Sequence, residues 1–188
     1  MTRRAVALDR DGTLIKEAGY LDRLERLELY PYTIDAVRLL NRAGFAVVVA
    51  TNQSGVARGL LDESFVAEAH RRLDDLLASG GARIDGWYYC PHHPQGIRDE
   101  YRQACDCRKP RPGLLKRAAA DLDLDLTRSF GVGDRWHDVE AATAAGAKGI
   151  LVRTGYGRAQ EESAAAGAVS AARVENLIEA VCWILRQP

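Results

Sequence analysis

An α/β fold of the doubly wound, Rossmann-like kind, a mostly parallel sheet with helices on both faces, is predicted by three features of the chain. Short β-like runs alternate with helical patterns, the signature of βαβ units. The first two runs, Ala5-Val6-Ala7-Leu8 and Phe45-Ala46-Val47-Val48-Val49-Ala50, are apolar at consecutive positions, as strands buried on both faces are. Polar clusters follow directly on these runs, at the edge where open parallel sheets hold their ligands.

In chain order, Ala5 to Leu8 ends in Asp9-Arg10-Asp11-Gly12-Thr13-Leu14. A helix beginning near Thr33 carries Ile34, Val37 and Leu40 on one face, stops at Gly44 and leads to the second run. Asp62 is placed to cap the next helix, whose apolar stripe is Phe65, Val66, Ala69, Leu73, Leu76 and Leu77 and which Gly80-Gly81 end. Gly86 to Tyr89 is a third strand. Residues 90–110 hold prolines, histidines and three cysteines without periodicity, so something other than a hydrophobic core must order them. Pro112 to Leu122 resumes as a helix with proline at its start. Phe130-Gly131-Val132 leads into Gly133-Asp134, a helix runs from about His137 to Ala145, and Gly149-Ile150-Leu151-Val152 closes the sheet. Thr154 to Ala172, rich in Gly, Ala and Ser, reads as mobile, and Val174 to Leu185 as a terminal amphipathic helix.

With 188 residues, 47% of them hydrophobic, the chain suffices for one buried core and is short for two, so residues 1–188 are expected to form a single domain. Lys plus Arg total 26 and Asp plus Glu total 26, a balance that argues against nucleic acid as partner. The apolar run after Thr2-Arg3-Arg4 is too short for a signal peptide, and no segment approaches the ~20 apolar residues of a membrane span. A cytoplasmic protein with no membrane partner is expected. Thiols stay reduced in that compartment, so the cysteines read as metal ligands or core residues.

Asp9 sits where a buried strand ends, and alternation places Asp11 on the same side if the extended backbone persists. An isolated D-x-D-G is most often an acidic turn; the later clusters make the difference. Thr51-Asn52-Gln53-Ser54-Gly55 emerges at the same edge and offers a hydroxyl, amides and backbone N–H groups, a set able to surround a phosphate. Gly133-Asp134 delivers a third carboxylate there. Two or three oxygens with waters and a phosphate oxygen suit Mg²⁺, which seldom takes an all-protein cage. Asp138, one helical turn on, fits a helix-dipole role and a supporting role equally well. Arg108-Lys109 supplies cations if Lys109 reaches the crevice. Cys90-Pro91-His92 and Cys105-Asp106-Cys107, separated by residues 93–104, give four N/S donors for tetrahedral zinc, with no position left for water. Such a zinc is structural and makes 90–110 a zinc-stabilised loop, with His93 as the competing ligand. Cys182 is expected on the apolar side of the last helix with Ile178 and Leu185, as a buried thiol.

Asp9-x-Asp11-Gly12-Thr13, Thr51-Asn52, Lys109 and Gly133-Asp134-x-x-x-Asp138 occur in the order and at the strand ends that resemble the haloacid-dehalogenase superfamily of phosphatases. Thr51 to Gly59, with Cys90-Pro91-His92-His93-Pro94 and Cys105 to Pro110, resembles its subfamily of heptose bisphosphate and histidinol-phosphate phosphatases. The resemblance implies that Asp9 is the nucleophile, becoming an aspartyl-phosphate, and that Asp11 is the acid that protonates the departing alkoxide and then the base that activates water. It implies Mg²⁺ held by Asp9, the Asp11 carbonyl and Asp134, with Thr51 and Lys109 on the phosphate oxygens and the Asn52 N–H assisting. It selects His92 over His93 beside Cys90, Cys105 and Cys107. It implies a substrate lined by Glu17, Ala18, Gly19, Tyr20, Asn52, Gln53 and Ser54, with Arg108 on a distal phosphate and Arg135 standing where the family pattern has lysine.

Too few residues separate Leu14 from Thr33 for a large cap domain, so an open site is expected, in a monomer acting on a small sugar phosphate. The reaction that the resemblance implies first is removal of the 7-phosphate of D-glycero-D-manno-heptose 1,7-bisphosphate. Histidinol phosphate is the nearest alternative substrate. A nucleic-acid 3′-phosphatase and a zinc-stabilised binding module without catalysis are further alternatives, the first disfavoured by the neutral charge, the second by the three intact aspartates.

Overall fold

The structure is a computed structural model, and it describes residues 2–163 and 169–188. In chain order the elements are β1 (Ala5–Leu8), α1 (Thr33–Arg42), β2 (Ala46–Asn52), α2 (Glu63–Ser79), β3 (Gly86–Cys90), α3 (Gly113–Leu122), β4 (Phe130–Gly133), α4 (Trp136–Ala144), β5 (Lys148–Val152), α5 (Gly157–Glu162), β6 (Ala172–Val174) and α6 (Leu177–Ile184). The strands form one sheet in the order β3-β2-β1-β4-β5-β6, and every pairing is parallel.

Alternation along the strands sorts side chains by size. Val6, Leu8, Val47, Val49, Phe130, Val132, Ile150 and Val152 point to one face, where Val37 and Leu40 of α1, Leu73 and Leu77 of α2 and Leu177 and Val181 of α6 complete the larger core. Ala5, Ala7, Ala46, Val48 and Ala50 point to the other, against Leu114 and Leu115 of α3 and Ala141 and Ala142 of α4. This thin face lets helices approach closely: a Cβ added at Gly131 would overlap Ala142. Helices thus cover both faces, as the sequence predicts. Between Leu14 and α1 the chain makes only a single 3₁₀ turn, Leu24–Arg26, with no cap domain.

Five expectations are corrected. β5 does not close the sheet, because Ala172–Val174 pairs with it as β6. The last helix begins at Leu177, not Val174, where the Asn176 side chain accepts the Glu179 N–H at 3.1 Å and caps it. Its buried face is Leu177, Ala180, Val181 and Ile184, a phase that turns Cys182 and Leu185 outward, so Cys182 is an exposed thiol. Asp62 precedes α2 but makes no capping bond; its carboxylate pairs with Arg98 at 2.5 Å. Of the stretch read as mobile, residues 164–168 lie outside the described residues, whereas Thr154 to Ser163 form a turn and α5. Arg153 anchors this segment through Glu161 and Glu175, at 2.6 and 2.8 Å.

Candidate active site

β1 is the topological switch point, because the chain proceeds from it to β2 and β3 on one side and later to β4, β5 and β6 on the other. The connections part there, and a cleft of about 280 Å³ opens over the carboxyl ends of the strands. Asp9 follows β1, Thr51 and Asn52 end β2, Asp134 follows β4, and Thr154 to Tyr156 follow β5. The extended backbone does not persist beyond Leu8: the chain turns at Gly12, φ +78°, and Asp11 still reaches the same cleft as Asp9.

Asp9, Asp134 and Asp138 bring one carboxylate oxygen each within 4.8 Å of the others. Lys109 enters this group from the end of the 90–110 loop. Its Nζ donates to Asp9 Oδ1 at 2.8 Å and to the Ala50 carbonyl at 2.6 Å, and it pairs with Asp138 Oδ1 at 2.6 Å. Only 4% of Lys109 is exposed. Burial opposes its charge, but Asp138 and Asp9 outweigh burial and hold the ammonium above the ordinary lysine range. Burial also works against the Asp138 carboxylate, and there Lys109 and His137 prevail and bring it below the usual range. Burial raises Asp9, and Lys109 offsets this only in part because Asp138 and Asp11 add their repulsion. Asp9 Oδ2 has no hydrogen-bond partner among the described residues, and the residue lines the cleft.

Asp134 is fully buried and forms no ion pair among the described residues, and the neighbouring Arg135 charge offsets its burial only in part. Burial, then repulsion from Asp9 and Asp138, pushes its pKa up to about 8. Its Oδ2 accepts the Tyr156 N–H at 2.7 Å, while Oδ1 is buried without a partner. Side chains cannot fill the space around it, since a Cβ on Gly12 or on Gly155 would overlap Oδ2. A buried carboxylate with a free oxygen facing other carboxylates is a donor set that fits a hard divalent cation, and the residues therefore fit Mg²⁺.

Asp11, its side chain 20% exposed, is gripped from behind. Arg10 donates from Nε to Oδ2 and from Nη2 to Oδ1, both at 3.1 Å, and Gln53 Nε2 donates to Oδ2 at 2.9 Å. Thr51 Oγ1 accepts from the same Gln53 amide at 2.9 Å. Asn52 does not project freely: its amide donates to the Lys109 carbonyl and accepts the Lys109 N–H, each at 3.1 Å, clasping β2 to the end of the 90–110 loop.

Of the other expected substrate residues, Glu17, Gly19, Tyr20, Ser54, Arg108 and Arg135 line the cleft with Asn52 and Gln53. Ala18 does not; its carbonyl turns away to accept from Arg26 at 2.6 Å. Burial raises Glu17, and Asp11 adds to the rise. Arg135 lies 3.9 Å from Glu17 and stacks 3.8 Å above the Tyr156 ring. Arg108 donates to the His92 carbonyl at 3.2 Å. Two elements of the site escaped the sequence reading. Tyr156 lies in the stretch whose composition reads as mobile, although its turn follows a strand at the productive edge. Arg10, between two aspartates, carries no role in the sequence reading.

Cys90, His92, Cys105 and Cys107 converge as expected, with Sγ–Sγ distances of 3.5 and 3.2 Å and His92 Nδ1 at 3.4 Å from Cys107 and 3.8 Å from Cys90. Zn–S bonds of about 2.3 Å imply tetrahedral edges of about 3.8 Å, so the cluster could hold zinc with little adjustment. His93 points elsewhere, to Arg58 at 3.2 Å.

A carboxylate at the switch point, a hydroxyl at the end of β2, a lysine between two acids and a carboxylate after β4 define a haloacid-dehalogenase-like hydrolase, and the HAD-hydrolase-like family model matches residues 106–180. D-glycero-beta-D-manno-heptose-1,7-bisphosphate 7-phosphatase of Escherichia coli (strain K12) is 48% identical over 153 residues, covering 80% of either chain. The enzyme of the same name from Yersinia pestis is 44% identical over 164 residues, covering 86% of this chain and 87% of its own. D,D-heptose 1.7-bisphosphate phosphatase from B. bronchiseptica, solved with magnesium and phosphate, superposes with a TM-score of 0.87 at 33% identity, covering 98% of this chain and 99% of that one. The chain belongs to the heptose bisphosphate phosphatase family of haloacid-dehalogenase-like hydrolases. No helix among the described residues is long and apolar enough to cross a membrane.

Proposed function

We propose that the protein removes the 7-phosphate of D-glycero-D-manno-heptose 1,7-bisphosphate, with Asp9 as nucleophile. The observation that carries this reading is the free Oδ2 of Asp9 at the floor of an open cleft, its other oxygen fixed by Lys109. Oδ2 attacks phosphorus as the bond to the sugar oxygen breaks, and Asp11 gives its proton to that oxygen. Asp11, now a carboxylate, takes a proton from the water that attacks the aspartyl-phosphate, releasing phosphate and restoring both acids. Thr51 and backbone N–H groups at the end of β2 hold phosphate oxygens, and Lys109 keeps Asp9 ionised and aimed. Mg²⁺, held by Asp9, Asp134 and the Asp11 carbonyl, supplies charge neutralisation on the phosphate when bound. Arg108 and Arg135, at the cleft wall, serve the distal phosphate, which a guanidinium fork suits.

Zinc on Cys90, His92, Cys105 and Cys107 is structural in this reading, since four protein ligands leave no position for water. A monomer acting as a single domain in the cytoplasm is part of the same reading. Phosphate release from heptose 1,7-bisphosphate, histidinol phosphate and a 3′-phosphorylated oligonucleotide, each with and without Mg²⁺, tests the assignment. Mg²⁺-dependent preference for the heptose is the expected result, and preference for either other substrate rejects it.

A further inference from the structure

Arg10 and Gln53 have no role in the chemistry just described, yet both are almost wholly buried beneath the one residue that must exchange protons. Arg10 is 2% exposed and among the largest fully buried side chains; Gln53 is 5% exposed. A buried guanidinium is expensive unless its donors are met. Here Nε and Nη2 are met by Asp11 and by Gln53 Oε1, the latter at 2.9 Å. Gln53 is saturated in turn. Its Nε2 hydrogens go to Asp11 and Thr51, and its backbone N–H to the Cys90 carbonyl at 2.8 Å. No Gln53 donor remains for a substrate, so lining the cleft does not make it a binding residue.

The arrangement distinguishes the two oxygens of Asp11. Oδ2 accepts from Arg10 Nε and from Gln53 Nε2, which occupies both of its lone pairs. Oδ1 accepts only from Arg10 Nη2 among the described residues and keeps one lone pair free. We propose that Arg10 and Gln53 are positioning residues that lock the Asp11 carboxyl in one orientation, so that Oδ1 alone carries the proton passed to the leaving oxygen and later taken from water, and that Gln53 couples this orientation to the Thr51 hydroxyl. Arg10, Asp11, Gln53 and Thr51 then form one hydrogen-bonded unit spanning the ends of β1 and β2. The inference rests on the acid–base role of Asp11 proposed above.

Leaving-group dependence tests it. A nitrophenolate leaves without protonation, whereas a sugar alkoxide needs Asp11, and both need Asp11 for the water step. Arg10→Lys keeps the charge but not the two-pronged geometry, and Gln53→Met keeps the volume but no donors. In either variant kcat on heptose bisphosphate is expected to fall about 10²-fold or more with KM within about threefold, the pattern of a lost transition-state interaction. With p-nitrophenyl phosphate the same variants should give a nitrophenolate burst of about one equivalent per site and then a slow steady rate, as the aspartyl-phosphate accumulates. A raised KM at unchanged kcat for Gln53→Met would make it a substrate contact and overturn the proposal. Equal loss of the burst and of sugar-phosphate turnover would make the pair merely structural. Should Arg10→Lys not fold, Gln53→Met decides alone. If the unaltered enzyme ignores heptose bisphosphate, the substrate assignment fails by itself, and the same comparison is read on the alkyl phosphate it does hydrolyse.

Discussion

Lys109 carries its charge into a space closed to water, where removing an ion from solvent costs several kcal/mol unless partners return it. Asp9 and Asp138 do so at 2.8 and 2.6 Å. Lys109→Met would leave two carboxylates facing each other uncompensated, and a loss of about 3–5 kcal/mol of stability in urea unfolding is expected together with loss of turnover; unchanged stability would show that the acids are neutral without their lysine. Asp134 depends on space in place of partners. Gly155→Ala pushes a methyl against Oδ2, so the Mg²⁺ concentration giving half-maximal activity should rise about 10–100-fold with zinc content unaltered, as when a group supporting a metal ligand is displaced. An unaltered Mg²⁺ requirement would contradict Asp134 as the cation's ligand. At this scale Asp9, Asp11, Thr51 and Asp134 were legible because each stands at or just past a buried strand's end, where side chains face a crevice. Asp138 was undecidable from sequence and turns out to serve two ends of its carboxylate at once, accepting the Arg135 N–H at 3.0 Å and pairing with Lys109. Arg10 was illegible, since nothing in D-R-D tells a gripping arginine from a solvated one.

The 90–110 loop sets the position of Lys109, which Asn52 clasps from β2 by two hydrogen bonds. Removing zinc with a chelator, or replacing Cys105 by Ser, should therefore open this loop to proteolysis and abolish activity although zinc takes no part in the chemistry. Metal content, cleavage sites and phosphate release measured on one sample check this, and full activity in folded, zinc-free protein would refute it. Strands and helices as far as β5 lie within a residue or two of where periodicity and glycine stops place them. The tail was misread because composition stood in for pattern. Asn176 with Glu179 three residues on is a helix-start signal, the Asn176 carbonyl oxygen of the amide accepting the Glu179 N–H as such a signal implies. Starting the helix there, rather than at Val174, leaves Ala172–Val174 free to be a strand and rotates Cys182 to the surface.

For the molecule as a whole, the two faces of the sheet bury side chains of different size, and a buried histidine on α2 ties stability to pH. His70, 6% exposed and stacked on Trp87 at 4.5 Å, is held down to about 3 by burial, with the Arg10 charge adding to the effect. The unfolded chain binds that proton near pH 6.5, so as pH falls from about 6.5 toward about 3 the unfolded state gains a proton that the folded state refuses. Stability should accordingly fall on the acid side by up to about 1.4 kcal/mol per pH unit from this residue, and His70→Leu should flatten the slope in urea unfolding between about pH 7 and about pH 5. An identical slope in the variant would show that His70 already exchanges its proton in the folded state. The sheet order that makes β1 the switch point was foreseeable only in outline, because sequence shows which runs are buried but not which are neighbours. The central claim is that Asp9 bonds covalently to phosphorus, and mass spectrometry of enzyme quenched in acid during turnover of heptose 1,7-bisphosphate tests it most directly. A phosphoryl group on the peptide containing Asp9, absent from Asp9→Asn, is the predicted result; steady phosphate release with that peptide never modified would contradict it.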